Sequence, residues 1–401
     1  MGRNQNQRKS LSREELAKQY GIEIEVEEKK EDYSKYEPKK YKERNNFTPK
    51  SSNSTLFTYP FNFVSLGDKV EKEERKLGKN SGKIECSLIN YTPIFTGGEK
   101  SKSGKHTTEQ FLEDKDNYII SASTLKGEIR NIIETITHSC IRCKKGQKIM
   151  PEEFKPCDDI KKLCFACRLF GTTVEKAEDK GKSAYSGRVY FSDAKLPKVG
   201  NSTTVITLKP MGEPRETLKK YYLDRFGEIR GRKFYWHHTN QLENKKNYQN
   251  YENIIKDRAK PTTTTVHFLK PLKTFSFKVE FKNLTDIELG MLIYALELEK
   301  DLLHKIGRGK ALGLGSCKIS IDSFELFEEN RYNFSSFTPN RKVKDKNIYL
   351  EKIKNRYLEN NSQVKQLRVI LNEKNKLDFS RGAYLRRDSN KGNMPEILSY
   401  K

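Results

Sequence analysis

The chain has 401 residues, 34% hydrophobic and 33% charged, and its 78 lysines and arginines against 54 aspartates and glutamates give a formal net charge of +24. That composition allows one or two domains carrying large solvated insertions, and no run approaches the roughly eighteen apolar residues of a membrane-crossing helix. The positive excess is the footprint of a protein that lies along a phosphate backbone, and 20 tyrosines with 21 phenylalanines favour RNA or single strands, whose bases stack on rings.

Residues 1–55, beginning MGRNQNQRKSLSREELAKQYG, hold no apolar core of a secretory signal; they read as a basic tail, and the expected compartment is the cytoplasm, with no membrane partner. Lys83 to Phe95 alternates as a strand and ends at Thr96-Gly97-Gly98. Glu99 to Asn117 is polar and reads as an exposed loop before a short strand at Tyr118 to Ile120. A helix over Thr124 to Thr137 follows, with Ser121 or Ser123 as N-cap and Leu125, Ile129, Ile132 and Ile136 as its apolar stripe. Lys126 and Arg130 lie off that stripe. After a cysteine-rich loop comes the strand Gly187 to Ser192, and a basic, aromatic stretch then runs from 199 to 261. Thr262 to Phe268 and Thr274 to Phe281 read as strands, the second alternating Phe275, Phe277, Val279 and Phe281. A second helix is expected from Asp286 to about Ile306, opened by a capping box of Thr285 and Glu288. The glycine-rich loop Gly307 to Gly315 leads to a last strand at Cys317 to Ile321, and residues 328–401 read as a basic appendage with a possible helix at Ile348 to Leu371. The order strand, helix, strand, strand, helix, strand predicts an α+β fold, a ferredoxin-like or RRM-like palm over 56–327 with insertions at 138–170 and 199–261.

Two cysteine pairs, Cys140-x2-Cys143 and Cys164-x2-Cys167, have the spacing that lets each pair reach one tetrahedral zinc ion, with Cys157 and His138 as spare ligands. Four protein ligands close such a site, so its role is structural.

In the glycine-rich loop, backbone amides can approach a phosphate closely, with Arg308 and Lys310 supplying charge; glycine there equally serves plain turn geometry. The loop is not a Walker sequence. Arg230, Arg232, Lys233, Tyr235 and Trp236 combine cations with rings for stacking and neutralising a strand, with a buried aromatic cluster as the alternative. His237 and His238 have no carboxylate partner in view for acid–base chemistry.

Ser123-Thr-Leu-Lys-Gly-Glu-Ile-Arg130, Cys167-Arg-Leu-Phe-Gly171, Gly187-Arg-Val-Tyr-Phe-Ser-Asp-Ala194 and the glycine-rich loop occur in an order that resembles the RAMP superfamily, the RRM-like backbone subunits of type III and related CRISPR effector complexes. Gly231-Arg-Lys-Phe-Tyr-Trp-His-His238 resembles the long-insertion, type III-D-like branch, and a type III-derived, type VII-like system fits the same pattern. The resemblance covers about 57–325 and implies a crRNA-binding backbone subunit of an antiviral effector. Its partners would be guide RNA, complementary target RNA, copies of itself, other effector subunits and a separate nuclease. It assigns Ser123, Thr124, Lys126, Arg130, Gly307, Arg308 and Lys310 to the guide backbone, with Arg168 and Arg188 of the matching motifs beside them. It also makes 138–170 a zinc finger and 199–261 a thumb that wedges between bases.

Slicing members of that family carry an acid in the loop before the first helix. Here the loop holds Glu99, Glu109, Glu113, Asp114 and Asp116, none in a Gly-Ile-Asp context, so the expectation is a subunit that does not cut, with Asp114 and Asp116 as candidate catalytic residues. The alternatives are an endoribonuclease using one of those aspartates, and a zinc-dependent cellular RNA-binding factor.

Overall fold

Three long strands and a fourth broken into two short pieces form the palm. In the computed structural model, the described residues are 60–74, 76–103, 106–142, 149–175, 182–200, 202–208, 222–224, 226–237, 263–333, 336–343 and 345–374. All of them lie in the unit spanning 53–400; the other unit, 1–52 with 401, falls outside them, as does the whole of the expected N-terminal tail, 1–55.

Strand Asn80–Asn90 is central, flanked by Ser316–Asn333 on one side and Thr274–Leu284 on the other, with Val189–Phe191 and Ala194–Pro197 beyond the latter. In chain order this is fourth, first, third, second, every neighbour antiparallel, which is the ferredoxin-like arrangement. Phe275, Phe277, Val279 and Phe281 point to one face while Ser276, Lys278, Glu280 and Lys282 point to the other, the strict alternation of a half-covered strand.

Two helices cover the apolar face. Helix α1, Ala122–Ile136, follows the first strand, and Ser121 is its N-cap, its hydroxyl accepting from Thr124 N–H. A further short helix, α2 (Phe165–Phe170), packs on α1 and lies wholly buried. Helix α3, Asp286–Glu297, precedes the fourth palm strand and opens with the full capping box of Thr285 and Glu288. It stops well before Ile306 because Leu298 turns the chain with φ 55° and the segment beyond it forms the edge strand His304–Lys305.

Nearly every residue of α3 is buried, which one sheet face cannot explain. The second cover is the C-terminal segment: α4 (Asn347–Ile353), a π-helical turn over Lys354–Glu359 and α5 (Ser362–Leu371). Ile353, Val364 and Ile370 are fully enclosed in the same core as Leu289 and Ile293. Expected as an appendage, this region completes the core; its apolar positions were visible, but not the face they cover. Among the described residues no helix is long and apolar enough to cross a membrane.

The stretch 99–117 is also not an open loop. Gly97–Ser103 and His106–Phe111 pair as antiparallel strands, and a second sheet runs Thr203–Leu208, Thr263–Leu269, His106–Phe111, Gly97–Ser103. Its middle pair is parallel, with Val266 opposite Glu109. The base of the insertion expected to form a thumb is therefore built into the same sheet as the segment before α1. Residues 209–221 and 238–262 of that insertion, His238 among them, lie outside the described residues.

Candidate nucleic-acid interface and metal centre

A cleft of about 470 Å³ opens where this second sheet meets the palm, lined by Thr96 to Gly98, Lys100, Glu109, Leu112, Ser121, Thr124, Gly307 and Arg308. The glycine-rich loop reaches it because its glycines allow close backbone contact. At Gly307 (φ 88°) a Cβ would stand 2.5 Å from the Phe95 carbonyl, and at Gly315 (φ 79°) 1.8 Å from that of Ile306. Arg308 N–H donates to the Phe95 carbonyl at 2.8 Å, and its guanidinium lies 5.8 Å from the Phe95 ring centroid. Nη1 of Arg308 donates to both carboxylate oxygens of Glu109, at 2.5 and 2.6 Å, while Lys100 Nζ approaches the same group at 3.5 Å. Glu109 is 2% exposed and Arg308 retains half of its side-chain surface.

The start of α1 contributes hydroxyls more than amides. Asp193 takes the Ala122 N–H at 2.7 Å, and the Ser121 hydroxyl, besides capping Thr124, lies 2.9 Å from the Thr124 hydroxyl and 3.0 Å from that of Ser123. Ser123 is exposed and Thr124 lines the cleft. Lys126 is half-buried, and burial, then the neighbouring Arg130, pulls its ammonium below the usual lysine range. Lys310 donates to Glu128 on α1 at 3.2 Å.

Several cations expected to face RNA point inward. Arg188 is buried and binds Glu288, the Asn283 carbonyl at 2.7 Å and the Arg168 carbonyl at 3.3 Å. Arg168 is buried with Glu73 at 2.8 Å and Glu288 at 3.8 Å. Arg232 donates to Glu134 at 2.7 Å and to the carbonyls of Ser139 and Cys140 at 2.6 and 3.0 Å. Trp236 is 2% exposed and belongs to the main core with Phe234. The reason is strand alternation: Arg232–Tyr235 pairs with Phe61–Val64, and its even-numbered side chains, Arg232 and Phe234, point inward. Lys233 and Tyr235 take the outer face, where the Lys233 ammonium stands 3.8, 5.4 and 5.0 Å from the ring centroids of Phe61, Tyr222 and Tyr235. Arg230 is exposed and donates to the Leu223 carbonyl at 2.7 Å. His237 is buried against Ser316 Oγ at 2.9 Å and the Leu303 carbonyl at 3.0 Å, a packing role.

Four cysteines converge between α1 and α2. Cys140, Cys157, Cys164 and Cys167 are all buried, their sulfurs within 4.8 Å of one another. Cys140 Sγ lies 3.6 Å from Cys164, 3.6 Å from Cys167 and 3.8 Å from Cys157. Four thiolates at about 2.3 Å from one tetrahedral zinc stand about 3.8 Å apart, whereas a disulfide would bring two to about 2.05 Å. The donor set therefore fits a zinc ion. Cys157, expected as a spare, occupies the fourth corner; Cys143 lies outside the described residues, and His138 is turned away, its Nε2 2.8 Å from Gln363 Oε1. Hydrogen bonds from Cys157, Cys164 and Cys167, then burial, push the Cys140 thiol up, and hydrogen bonds from Cys140 and Cys157 push Cys164 down, the mark of one group of thiols competing for protons. The Cys164 N–H points to Cys157 Sγ at 3.3 Å and Arg130 Nη2 to Cys167 Sγ at 3.6 Å. Arg130, expected on the guide backbone, instead supports this cluster, because α2 and the finger cover that side of α1.

Asp114 and Asp116 form the turn before the short strand Asn117–Ile120. Asp114 accepts from the backbone amides of Asp116 at 2.9 Å and Asn117 at 2.6 Å, and from Lys195 at 3.3 Å. A small loss of hydration would raise its pKa, but those bonds outweigh it and hold the carboxyl down at about 2. Neither aspartate lines the cleft. The acid that does is Glu109, which sequence reasoning placed in an exposed loop; Gly97, Gly98 and Lys100 were likewise missed, although the Gly-Gly pair of Gly97-Gly98-Glu99-Lys100 signals close backbone approach.

The sequence model of the RAMP superfamily matches residues 91–318, more than half of the chain and a span that holds every residue of the cleft and of the cysteine cluster. No curated protein matches the chain.

Proposed function

The chain belongs to the RAMP superfamily, and from that premise we propose that it is a crRNA-binding backbone subunit of a multi-subunit CRISPR antiviral effector. RAMP proteins are generally CRISPR-associated and RNA-binding. The observation that carries the finer reading is the cleft, in which a half-exposed guanidinium, a lysine and helix-start hydroxyls converge beside a glycine-rich backbone. Such a surface contacts phosphates and ribose without reading bases, so the sequence would be read by pairing between guide and target. The strand Thr274–Leu284 turns Ser276, Lys278 and Glu280 to the open face of the palm sheet, where Tyr190, opposite Glu280, is an exposed ring with the Lys282 ammonium 5.5 Å from its centroid.

A structural zinc ion held by Cys140, Cys157, Cys164 and Cys167 would fix the finger against α1. We place the subunit in the cytoplasm, in a type III-D-like or type VII-like complex with copies of itself, other effector subunits, target RNA and a separate nuclease that cuts. Asp114, tied into its own turn away from the cleft, favours this scaffold over a slicing subunit.

The deciding experiment is binding of the purified full chain to repeat-derived RNA at several salt concentrations. Nanomolar affinity at low salt, falling steeply as salt rises, and loss of at least tenfold in Arg308→Ala or Lys100→Ala are the expected results. Affinity indifferent to salt and to both substitutions would end this reading.

A further inference from the structure

Both cations of the glycine-rich loop are anchored to carboxylates that are themselves buried. Lys310 holds Glu128, whose other oxygen accepts the Lys305 N–H at 3.2 Å, so that contact ties the loop to α1. Arg308 holds Glu109, whose carboxylate is 2% exposed and whose strand is fixed by parallel pairing to Thr263–Leu269. The Arg308–Glu109 contact uses Nη1 alone; among the described residues Nε and Nη2 have no partner. The pair sits directly on Gly97, where a Cβ would come within 2.4 Å of Glu109 Oε1 and 3.1 Å of Arg308 Nη1. A guanidinium is thus clamped by a carboxylate, a ring and its own backbone hydrogen bond, with two nitrogen positions left to donate.

On charge alone Glu109 is a liability in a site for a polyanion. It cancels one of the two cations lining the cleft and repels an incoming phosphate. Its benefit is order. A free surface arginine loses about 2 kcal/mol of rotamer freedom when it is immobilised on a ligand, and one held in place beforehand has already lost it.

We propose that Glu109 is a positioning residue for RNA binding: it holds Arg308 in the cleft so that the unused nitrogens of the guanidinium meet a phosphate of the strand without further ordering. This rests on the RNA-binding reading above. It makes an opposite prediction from charge counting, since Glu109→Gln removes a negative charge and simple electrostatics would tighten binding.

The test measures the affinity of the full chain for a fluorescein-labelled 30-nucleotide single-stranded RNA across a salt series, for wild type, Glu109→Gln, Arg308→Lys and the double variant. We expect Glu109→Gln to weaken binding about tenfold, the scale of one ordered charge-assisted contact. Its salt dependence should stay at least as steep as in wild type. The double variant should be no weaker than Arg308→Lys, because both changes remove the same fork. Gly97→Ala displaces the pair without altering charge and should reproduce the loss, which keeps the question open to test if Glu109→Gln folds poorly; melting temperature and metal content report folding for each. A wild type that binds the RNA together with a Glu109→Gln variant that binds equally or more tightly overturns this inference alone. A wild type that does not bind the RNA overturns the RNA reading and this inference with it.

Discussion

Arg130 Nη2 stands 3.6 Å from Cys167 Sγ, while its Nε holds Glu134 at 2.7 Å. Four thiolates around a divalent cation carry net negative charge, and a guanidinium within hydrogen-bond range offsets it from the second layer. The same Glu134 receives Arg232, so α1, the finger and the ribbon Arg232–Tyr235 share one charged junction.

Arg130→Met should weaken zinc retention roughly 10- to 100-fold and cost about 1–3 kcal/mol of stability, with Arg130→Lys recovering part of both. Competition with a chromophoric chelator and thermal melting measure the two effects. Unchanged zinc affinity in the methionine variant would show that the contact does not support the cluster.

Metal analysis should find one zinc per chain. Cys157→Ser, Cys140→Ser, Cys164→Ser and Cys167→Ser should each release it and lower folding yield, whereas Cys143→Ser should leave the content at one, since the other four thiolates complete a tetrahedron. Equal losses at positions 143 and 157 would contradict the assignment.

Arg188 and Glu288 are both buried and bonded to each other. Arg188→Met leaves Glu288 with its capping bonds from Thr285 and the more distant Arg168 as its cation, and should cost about 3–5 kcal/mol. Denaturant unfolding gives the number; a change below about 1 kcal/mol would mean that Arg168 moves in to compensate.

Gly290 on α3 faces the C-terminal cover so closely that a Cβ would lie 2.3 Å from the Tyr349 carbonyl. Gly290→Ala should therefore destabilise by about 1–3 kcal/mol despite the better helix propensity of alanine. A melting temperature equal to or above that of wild type would place α4 elsewhere.

Lys305 is fully enclosed, donating to Gly313 O at 3.1 Å and Ser316 Oγ at 2.9 Å, and burial pushes its pKa down to about 7 from 10.5. Between those values the folded chain has released a proton that the unfolded chain still binds. From this group, stability rises with pH over that window, by up to about 1.4 kcal/mol per unit. Urea midpoints at pH 7, 8 and 9 should rise more steeply in wild type than in Lys305→Met; parallel curves would show that Lys305 stays charged.

What was legible in the sequence is what short-range periodicity controls. The capping box at Thr285 and the alternation from Phe275 to Phe281 need only neighbouring residues, and both stand as read. The strand His106–Phe111 was hidden because HTTEQF has no apolar alternation, and its parallel partner lies more than 150 residues away. The same distance concealed Glu109. Cys157 lacks a second cysteine across a two-residue spacer, so spacing rules favoured Cys143, while the fold alone decides which sulfurs meet. Arginine direction was illegible for a related reason: Arg168 and Arg188 look like surface cations until Glu288 is folded against them.

The parallel pairing of His106–Phe111 with Thr263–Leu269 also sets a timetable. During synthesis the first half of the chain emerges with α1 and its cysteines, all local enough to fold at once. The wall carrying Glu109 waits for its partner strand, and the clamp on that glutamate waits for Arg308. Long-range closures of this kind are slow relative to local ones. A nascent chain therefore brings its cysteine cluster together well before it has a finished cleft, which closes only after most of the protein has left the ribosome.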